Sequence, residues 1–493
     1  MSMNFYPELG NFKKLSEGAN LVPVYVELLA DIETPVSVYS RFAEDEYSFL
    51  LESVEGGTQW GRYSIIGVEP KGIFSVEDGK GKFVENGQQQ NIDNGFFGLR
   101  ELMDDIKPAA ISDLPRFYAG AVGFLGYETV GEFEKLPAPK VSEDGFISCC
   151  MMMSETTIIF DNVRHTIKIV ASVRTEEFES LEDAYNSGIN KINTIQERLK
   201  VPPQISDDEI DDSTIEMKSN MTQDEFCNMV RTAKEHIVDG DVIQVVLSQR
   251  FSAKRTASAL NIYRALRLIN PSPYTFIVKL GDKILAGSSP EVMVRRTGTA
   301  ALLRPIAGTR PRGATEQEDR KLADDLLKDE KEKAEHVMLV DLGRNDLGRI
   351  AMPGSVQVKD FMSIEKYSHV MHIVTTVQAE LKDEFDSLDL IKAVFPAGTL
   401  SGAPKIRAME IINNLETTTR GAYGGAVGYI GYDDNMDLAI TIRTVEIDGD
   451  EVAVQAGAGI VYDSIPQKEF EETCHKSKGM VKALEMAANG LKI

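Results

Sequence analysis

Two pairs of glutamates stand three residues apart in stretches that read as helix: Glu332 with Glu335, and Glu469 with Glu472. That spacing puts both members of a pair on one helix face. On the first face Leu339 and Leu342 follow, so the carboxylates stand where an apolar stripe begins. Lys476 lies one turn beyond Glu472. A few carboxylates, completed by substrate oxygens and water, are how Mg²⁺ is ordinarily held. A plainer reading stands beside this one. Glu332 belongs to the charge run from Lys328 to Glu335, and such runs are usually solvated faces. Glu469 and Glu472 fall in the first turns of their helix, where the macrodipole favours acids in any case. Spacing alone leaves both readings open.

Arg443 is a second signal. It is a lone cation in the apolar run from Leu438 to Val445, which reads as a strand, and a cation inside such a strand needs an anionic partner. Short glycine loops at Gly308-Thr309, at Gly457-Ala458-Gly459 and from Gly398 to Lys405 offer backbone N–H groups to an anion, the last of them leading into a helix near Arg407. His336 and His372 read equally well as packed structural residues, and a His369–His372 metal pair has no third ligand close in sequence. There is no Gly-x-Ser-x-Gly elbow and no cysteine in a nucleophile setting, so a built-in glutaminase is not expected.

The elements that must hold these residues follow from pattern. Thr222-Gln-Asp-Glu225 is a capping box that opens a helix burying Phe226, Met229, Val230 and Ala233 and ending at Gly240. The run from Val242 to Phe251 reads as a buried strand. Thr315-Glu-Gln-Glu318 opens helices reaching about Leu347, and Ser464-Ile-Pro-Gln467 opens the last helix. In the first half, 156–160 and 166–170 read as strands around a turn, and 178–199 as a helix. Tyr118-Ala-Gly-Ala-Val-Gly-Phe-Leu-Gly-Tyr127 returns as Tyr423-Gly-Gly-Ala-Val-Gly-Tyr-Ile-Gly-Tyr432, identical at seven of ten positions. Glycine inside a strand costs stability unless another backbone or a ligand must come close. The echo therefore implies a duplicated core whose two halves share a sheet system. The expected fold class is α+β, with large mixed or antiparallel sheets in a two-lobed sandwich and helices outside.

Length and composition bound the rest. The 493 residues exceed one compact core. The segment 201–220, with Pro202-Pro203 and a dense acidic cluster, is expected to be a solvated linker between an N-terminal domain, 1–200, and a second domain, 221–493. The formal net charge of −24 argues against nucleic acid and requires that any anionic substrate meet a local cation or metal. Four cysteines without a CxxC fit a reducing cytoplasm, and neither a signal peptide nor a membrane span is expected.

Taken together, the strings Pro305–Arg312, Glu335–Asp346, Gly398–Lys405, Tyr423–Tyr429, Ile442-Arg443 and Gln455–Gly459 resemble the chorismate-utilising enzymes over nearly the whole chain, and within them most closely the large subunits (component I) of anthranilate synthase. The resemblance implies Mg²⁺ held by Glu335 and Glu472 with Glu332 and Glu469 close by. It implies substrate contacts from Gly308, Thr309, Tyr423, Arg443, Gly457, Ala458, Gly459 and Lys476. Glu291 is implied as the acid that protonates the leaving hydroxyl, and His372 and Thr399 as residues tied to the loss of pyruvate. The implied reaction is the first step of tryptophan biosynthesis, in which chorismate and ammonia give anthranilate and pyruvate through aminodeoxyisochorismate.

Two positions discriminate within that family. Aminodeoxychorismate synthases typically carry a nucleophilic lysine where this chain has Ala307. Isochorismate and salicylate synthases use a lysine base where this chain has Gln244. Both departures leave ammonia as the nucleophile. The resemblance further implies a tryptophan pocket from Leu51, Glu52 and Ser53 with Asn270, Pro273 and Tyr274, in which Thr275 stands where many relatives have methionine. The implied partners are a glutamine amidotransferase subunit (component II) that supplies ammonia, in a heterotetramer, and L-tryptophan as inhibitor. The rival readings are an aminodeoxychorismate synthase component I and a non-catalytic tryptophan-binding regulator.

Overall fold

The computed structural model describes residues 4–53, 61–137, 147–204, 215–367 and 370–492. His369 and the 205–214 stretch of the expected linker lie outside them. Two twelve-stranded antiparallel sheets carry the fold. In the first, strands of the N-terminal half (Leu21–Leu29, Thr166–Arg174, Thr156–Asp161, Tyr63–Val68, Tyr47–Glu52) run into strands of the C-terminal half (Tyr274–Leu280, Lys283–Ser289, Thr444–Asp448, Glu451–Ile460, Gln244–Lys254). The second sheet passes in the same way from Ile306–Pro311 and Val370–Glu380 at one end, through Ala426–Gly431 and Gly120–Leu125, to Gln88–Ile92 at the other. Each half of the chain therefore contributes to both sheets.

Alternation along the strands decides what each face meets. On Tyr47–Glu52, Phe49 points into the layer between the sheets, with Phe74, Phe124 and Met151 of the second sheet, while Leu50 points outward. The outward face is covered by the helices Leu181–Leu199, Ala259–Ile269 and Pro466–Ala488 through Ile192, Tyr263 and Ala483. This is the α+β sandwich with helices outside.

The repeated glycine segments are the seam of the second sheet. Ala426–Gly431 pairs with Gly120–Leu125, with Gly123 directly opposite Gly428. A Cβ on Gly123 would come within 2.0 Å of the Cys150 carbonyl oxygen, and one on Gly428 within 2.2 Å of that of Asp437. Close backbone approach is thus the reason for the glycines. The seam of the first sheet is Tyr47–Glu52 against Tyr274–Leu280, where Glu52 faces Thr275.

Helix Gln223–Val238 opens with the reciprocal Thr222/Glu225 capping box. The Thr315 hydroxyl caps Glu318 N–H, but the Glu318 carboxylate turns to Ala314 N–H, so that box is only half formed. The third box does not form. The last helix begins at Pro466 with Ile465 as N-cap, and the Ser464 hydroxyl is drawn back to Val461 N–H. The end of the expected linker also differs from a solvated chain. Lys218–Ser219 adds a short strand beside Gln244–Lys254, and Ile215 is buried. No helix among the described residues is long and apolar enough to cross a membrane.

Candidate active site

Helix Glu330–Gly348 presents the first glutamate pair from its opening turns. Asp329 caps it, accepting the N–H groups of Lys331 and Glu332. Burial, and then the neighbouring charge of Glu335, raises the Glu332 carboxyl above its usual range. The second pair behaves alike: burial first, with the charge of Glu472 adding to it, raises Glu469. Lys331 of the first helix is close enough to act electrostatically on Glu469 of the last, so the two helix openings face one another. A carboxylate raised by burial and by a neighbour's charge, as Glu332 and Glu469 are, is one that a nearby hard divalent cation would relieve. Among the described residues no three carboxylate, histidine or cysteine side chains are already gathered into a complete cage.

Gln244 connects this region to the sheets. It is buried, its amide donates to Glu335 at 3.3 Å, and its side-chain oxygen has no partner. The amide fills the space left by Gly459, where a Cβ would meet Nε2 at 2.3 Å. Lys476 donates to the Gly457 carbonyl at 2.9 Å and pairs with Glu472 at 2.8 Å. A Cβ on Gly457 would meet the Tyr423 hydroxyl at 2.7 Å, which places that phenol against the glycine strand. Ala458 is wholly buried on the opposite face, in the cluster with Phe226 and Val230.

The second wall is the strand pair Ile306–Pro311 and Val370–Glu380. Ala307 faces Ile373, the register slips at Gly308, and Thr309 then faces His372. Gly308 has φ +66°, the left-handed region in which a side chain is strained, and a Cβ there would also press on Leu326 and Glu332. The slip turns the Gly308 carbonyl toward His372, which donates to it from Nδ1 at 2.9 Å. That bond fixes the tautomer and leaves Nε2 as the free lone pair. The Thr309 hydroxyl lies 3.2 Å from the same Nδ1. Burial lowers the imidazole pKa, so the ring is held neutral.

Glu291 is buried, and that burial raises its carboxyl to about 8. Thr399 donates to it at 3.2 Å, and Ile306 N–H reaches it as well. Arg443 follows the strand Met436–Ile440 with φ +52°, half-buried. Its backbone carbonyl accepts Ser288 N–H, while its guanidinium has no ion pair among the described residues. Burial lowers its pKa, and Arg443 in turn acts on His372. A cation with no ion pair among the described residues, within electrostatic reach of a neutral imidazole, is arranged for an anion that is not part of the protein.

The model matching the chain between residues 47 and 482 is that of the chorismate binding enzymes. The chain belongs to that family. Among chorismate binding enzymes it is 45% identical to anthranilate synthase component 1 of Acetivibrio thermocellus, covering 98% of this chain and 99% of that one, and 44% identical to the same component of Aquifex aeolicus over equal shares. The solved anthranilate synthase component I of Streptococcus pneumoniae matches with a TM-score of 0.77 at 38% identity, over 92% of this chain and 99% of that one. A menaquinone-specific isochorismate synthase of Escherichia coli has a TM-score of 0.71 at 17% identity, over 97% and 98%, a likeness of fold alone.

The residues expected to form a tryptophan pocket, Asn270 apart, fall at the seam of the first sheet. A cavity of ≈ 590 Å³ is lined there by Leu51, Glu52, Ser53, Pro273 and Tyr274, closed from the second sheet by Tyr429 and Asp437. Asn270 does not line it; its carbonyl accepts the hydroxyls of Ser272 and Ser288. Tyr274 donates to Asp437 at 2.8 Å, and Glu52 is already paired with Arg267 at 2.9 Å. The sequence reading passed over Arg420 and Glu416, which lie buried beneath the site. Their spacing of four, just before Tyr423, was the available signal.

Proposed function

We propose that this chain is the catalytic component of an anthranilate synthase, converting chorismate and ammonia to anthranilate and pyruvate. The observation that carries the proposal is Arg443, without an ion pair among the described residues and within electrostatic reach of neutral His372, in a chain that holds Gln244 and Ala307 where the alternative chemistries need lysine. The carboxylates of chorismate would meet Arg443 and Lys476. The carboxylate pairs Glu335/Glu472 and Glu332/Glu469 would hold Mg²⁺, which when bound neutralises the ring carboxylate.

Ammonia adds at C2 while the C4 hydroxyl leaves. Glu291, protonated at neutral pH, gives its proton to that hydroxyl, which departs as water. The incoming nitrogen gives one proton up to water, from which Glu291 regains its own, so charge balances and aminodeoxyisochorismate forms. In the second stage Nε2 of His372 takes the C2 proton, the ring C–O bond breaks, and the enolpyruvyl group picks up a proton at its methylene carbon to leave as pyruvate. Thr399 holds Glu291 in place through both stages.

A glutamine amidotransferase subunit would supply the ammonia in a heterotetramer, and L-tryptophan would occupy the ≈ 590 Å³ cavity as feedback inhibitor. We assign residues 1–200 to the half that contributes the regulatory strand and 221–493 to the half that contributes the chemistry, in a cytoplasmic enzyme. The test is the product formed from chorismate, Mg²⁺ and ammonium by the chain alone.

A further inference from the structure

Arg420 is one of the largest wholly buried side chains of the protein. It cannot be a substrate ligand, because its charge is already matched. Nε donates to one carboxylate oxygen of Glu416 at 2.8 Å and Nη2 to the other at 2.6 Å. The remaining bonds reach backbone: Nη1 donates to the Leu400 carbonyl at 2.7 Å and Nη2 to that of Val246 at 2.8 Å. The guanidinium lies 4.4 Å from the ring centroid of Tyr127 and 5.7 Å from that of Tyr423. Glu416 extends the knot by accepting from the N–H and the hydroxyl of Ser248, each at 2.8 Å, and that hydroxyl accepts from Gln455 at 2.9 Å.

Leu400, Val246 and Gln455 each lie one or two residues from a position of the site. Leu400 follows Thr399, which holds Glu291. Val246 is two residues past Gln244, on the same face of its strand, and Gln455 is two before Gly457. Tyr423 is the phenol that stands against Gly457. Four segments from distant parts of the chain therefore meet the substrate in a register that one planar fork sets. We infer that Arg420, together with Glu416, is the positioning residue of the site, fixing the Thr399 loop, the Gln244 strand, Tyr423 and the glycine strand relative to one another. The inference rests on the reading of that site given above. Lysine would keep the charge but not the fork, and so could not hold two carbonyls and a bidentate carboxylate at once.

The experiment compares Arg420→Lys, Glu416→Gln and Ser248→Ala with the wild type in two measurements. The first is amide hydrogen exchange over residues 244–248 and 398–402, which needs no substrate. The second is steady-state kinetics across pH with chorismate, Mg²⁺ and ammonium. For Arg420→Lys the expected result is exchange about tenfold faster in those two segments than in the wild type, with the rest of the chain unchanged. With it, kcat falls about ten- to a hundredfold, more than KM rises, and the alkaline limb of the kcat profile set by Glu291 moves. Ser248→Ala removes one arm only and gives the same changes at smaller size, which keeps the test open if Arg420→Lys does not fold. Exchange that is unchanged, or faster by the same factor everywhere, overturns the inference. So does a loss of kcat with the pH profile unmoved. A wild-type chain that makes no anthranilate sinks the functional reading instead, while the exchange comparison still decides the positioning role.

Discussion

The side-chain amide of Gln244 donates to Glu335 across 3.3 Å, so the position where related chemistries place a basic lysine touches a candidate metal ligand. Lysine there would carry its ammonium against the carboxylate and compete with a divalent cation for it. Gln244→Lys is expected to lower the ammonia-dependent rate by about tenfold or more, equivalent to roughly 1.4 kcal/mol of barrier, and to raise the Mg²⁺ concentration needed for half-maximal rate. Initial rates across a Mg²⁺ titration check this. A variant with unchanged Mg²⁺ dependence would show that the contact is incidental.

Glu291 must be protonated to act, and burial holds its carboxyl at about 8. Activity should therefore fall as pH rises through about 8, and Glu291→Gln should lose about 10²–10⁴-fold in kcat and lose that alkaline limb with it. The same burial affects stability. The folded carboxyl binds its proton more tightly than the unfolded one, whose value is 4.5, so folding weakens as pH climbs from about 4.5 to about 8. Glu291→Gln should consequently melt higher than wild type at pH 8 and no higher at pH 4. Thermal melts at the two pH values decide it; a difference from wild type that does not grow between pH 4 and pH 8 would mean that the acid is solvated.

Arg443 is a half-buried cation with no ion pair among the described residues, so it costs the free protein stability that only a bound anion returns. Arg443→Met should reduce kcat/KM for chorismate by about a hundredfold, roughly 3 kcal/mol. Its melting temperature without substrate should equal or exceed that of the wild type. A variant that both binds chorismate normally and melts lower would assign Arg443 a structural role.

The glutamate pairs predict a dependence on divalent cations. Chelation should abolish turnover and added Mg²⁺ restore it, and Glu335→Gln or Glu472→Gln should each shift the Mg²⁺ requirement upward. In the apo protein Glu335→Gln should not lower the melting temperature, because it removes the charge that repels Glu332. Turnover that persists after chelation would remove the metal from the account.

What the sequence revealed and what it hid follow from how local each signal is. The repeat Tyr118–Tyr127 and Tyr423–Tyr432 placed two glycine strands in one sheet, because close backbone approach leaves a composition signature; they are neighbours, Gly123 against Gly428. Arg443 stood out because a charge in an apolar run violates a local rule, but the run is not the single strand it reads as: Arg443 lies between Met436–Ile440 and Thr444–Asp448, with φ +52°. The Thr222 cap was readable because its partner is three residues away. Ser464 misled because a nearer donor, Val461 N–H, took its hydroxyl. The Arg420 knot was hidden for the converse reason: its acceptors, Leu400 and Val246, are backbone carbonyls, which no residue type announces. The pairing of His372 with Gly308 likewise required the register slip between Ala307 and Thr309, a tertiary fact.

The central claim is that ammonia is the nucleophile and that an aromatic product leaves with pyruvate. Purified chain, chorismate, Mg²⁺ and an ammonium salt at alkaline pH, followed by anthranilate fluorescence and by pyruvate in the same sample, test it most directly. The account predicts anthranilate and pyruvate in equal amounts, with no product when ammonium is omitted. A non-aromatic amino product without pyruvate, or isochorismate formed without ammonium, would contradict it.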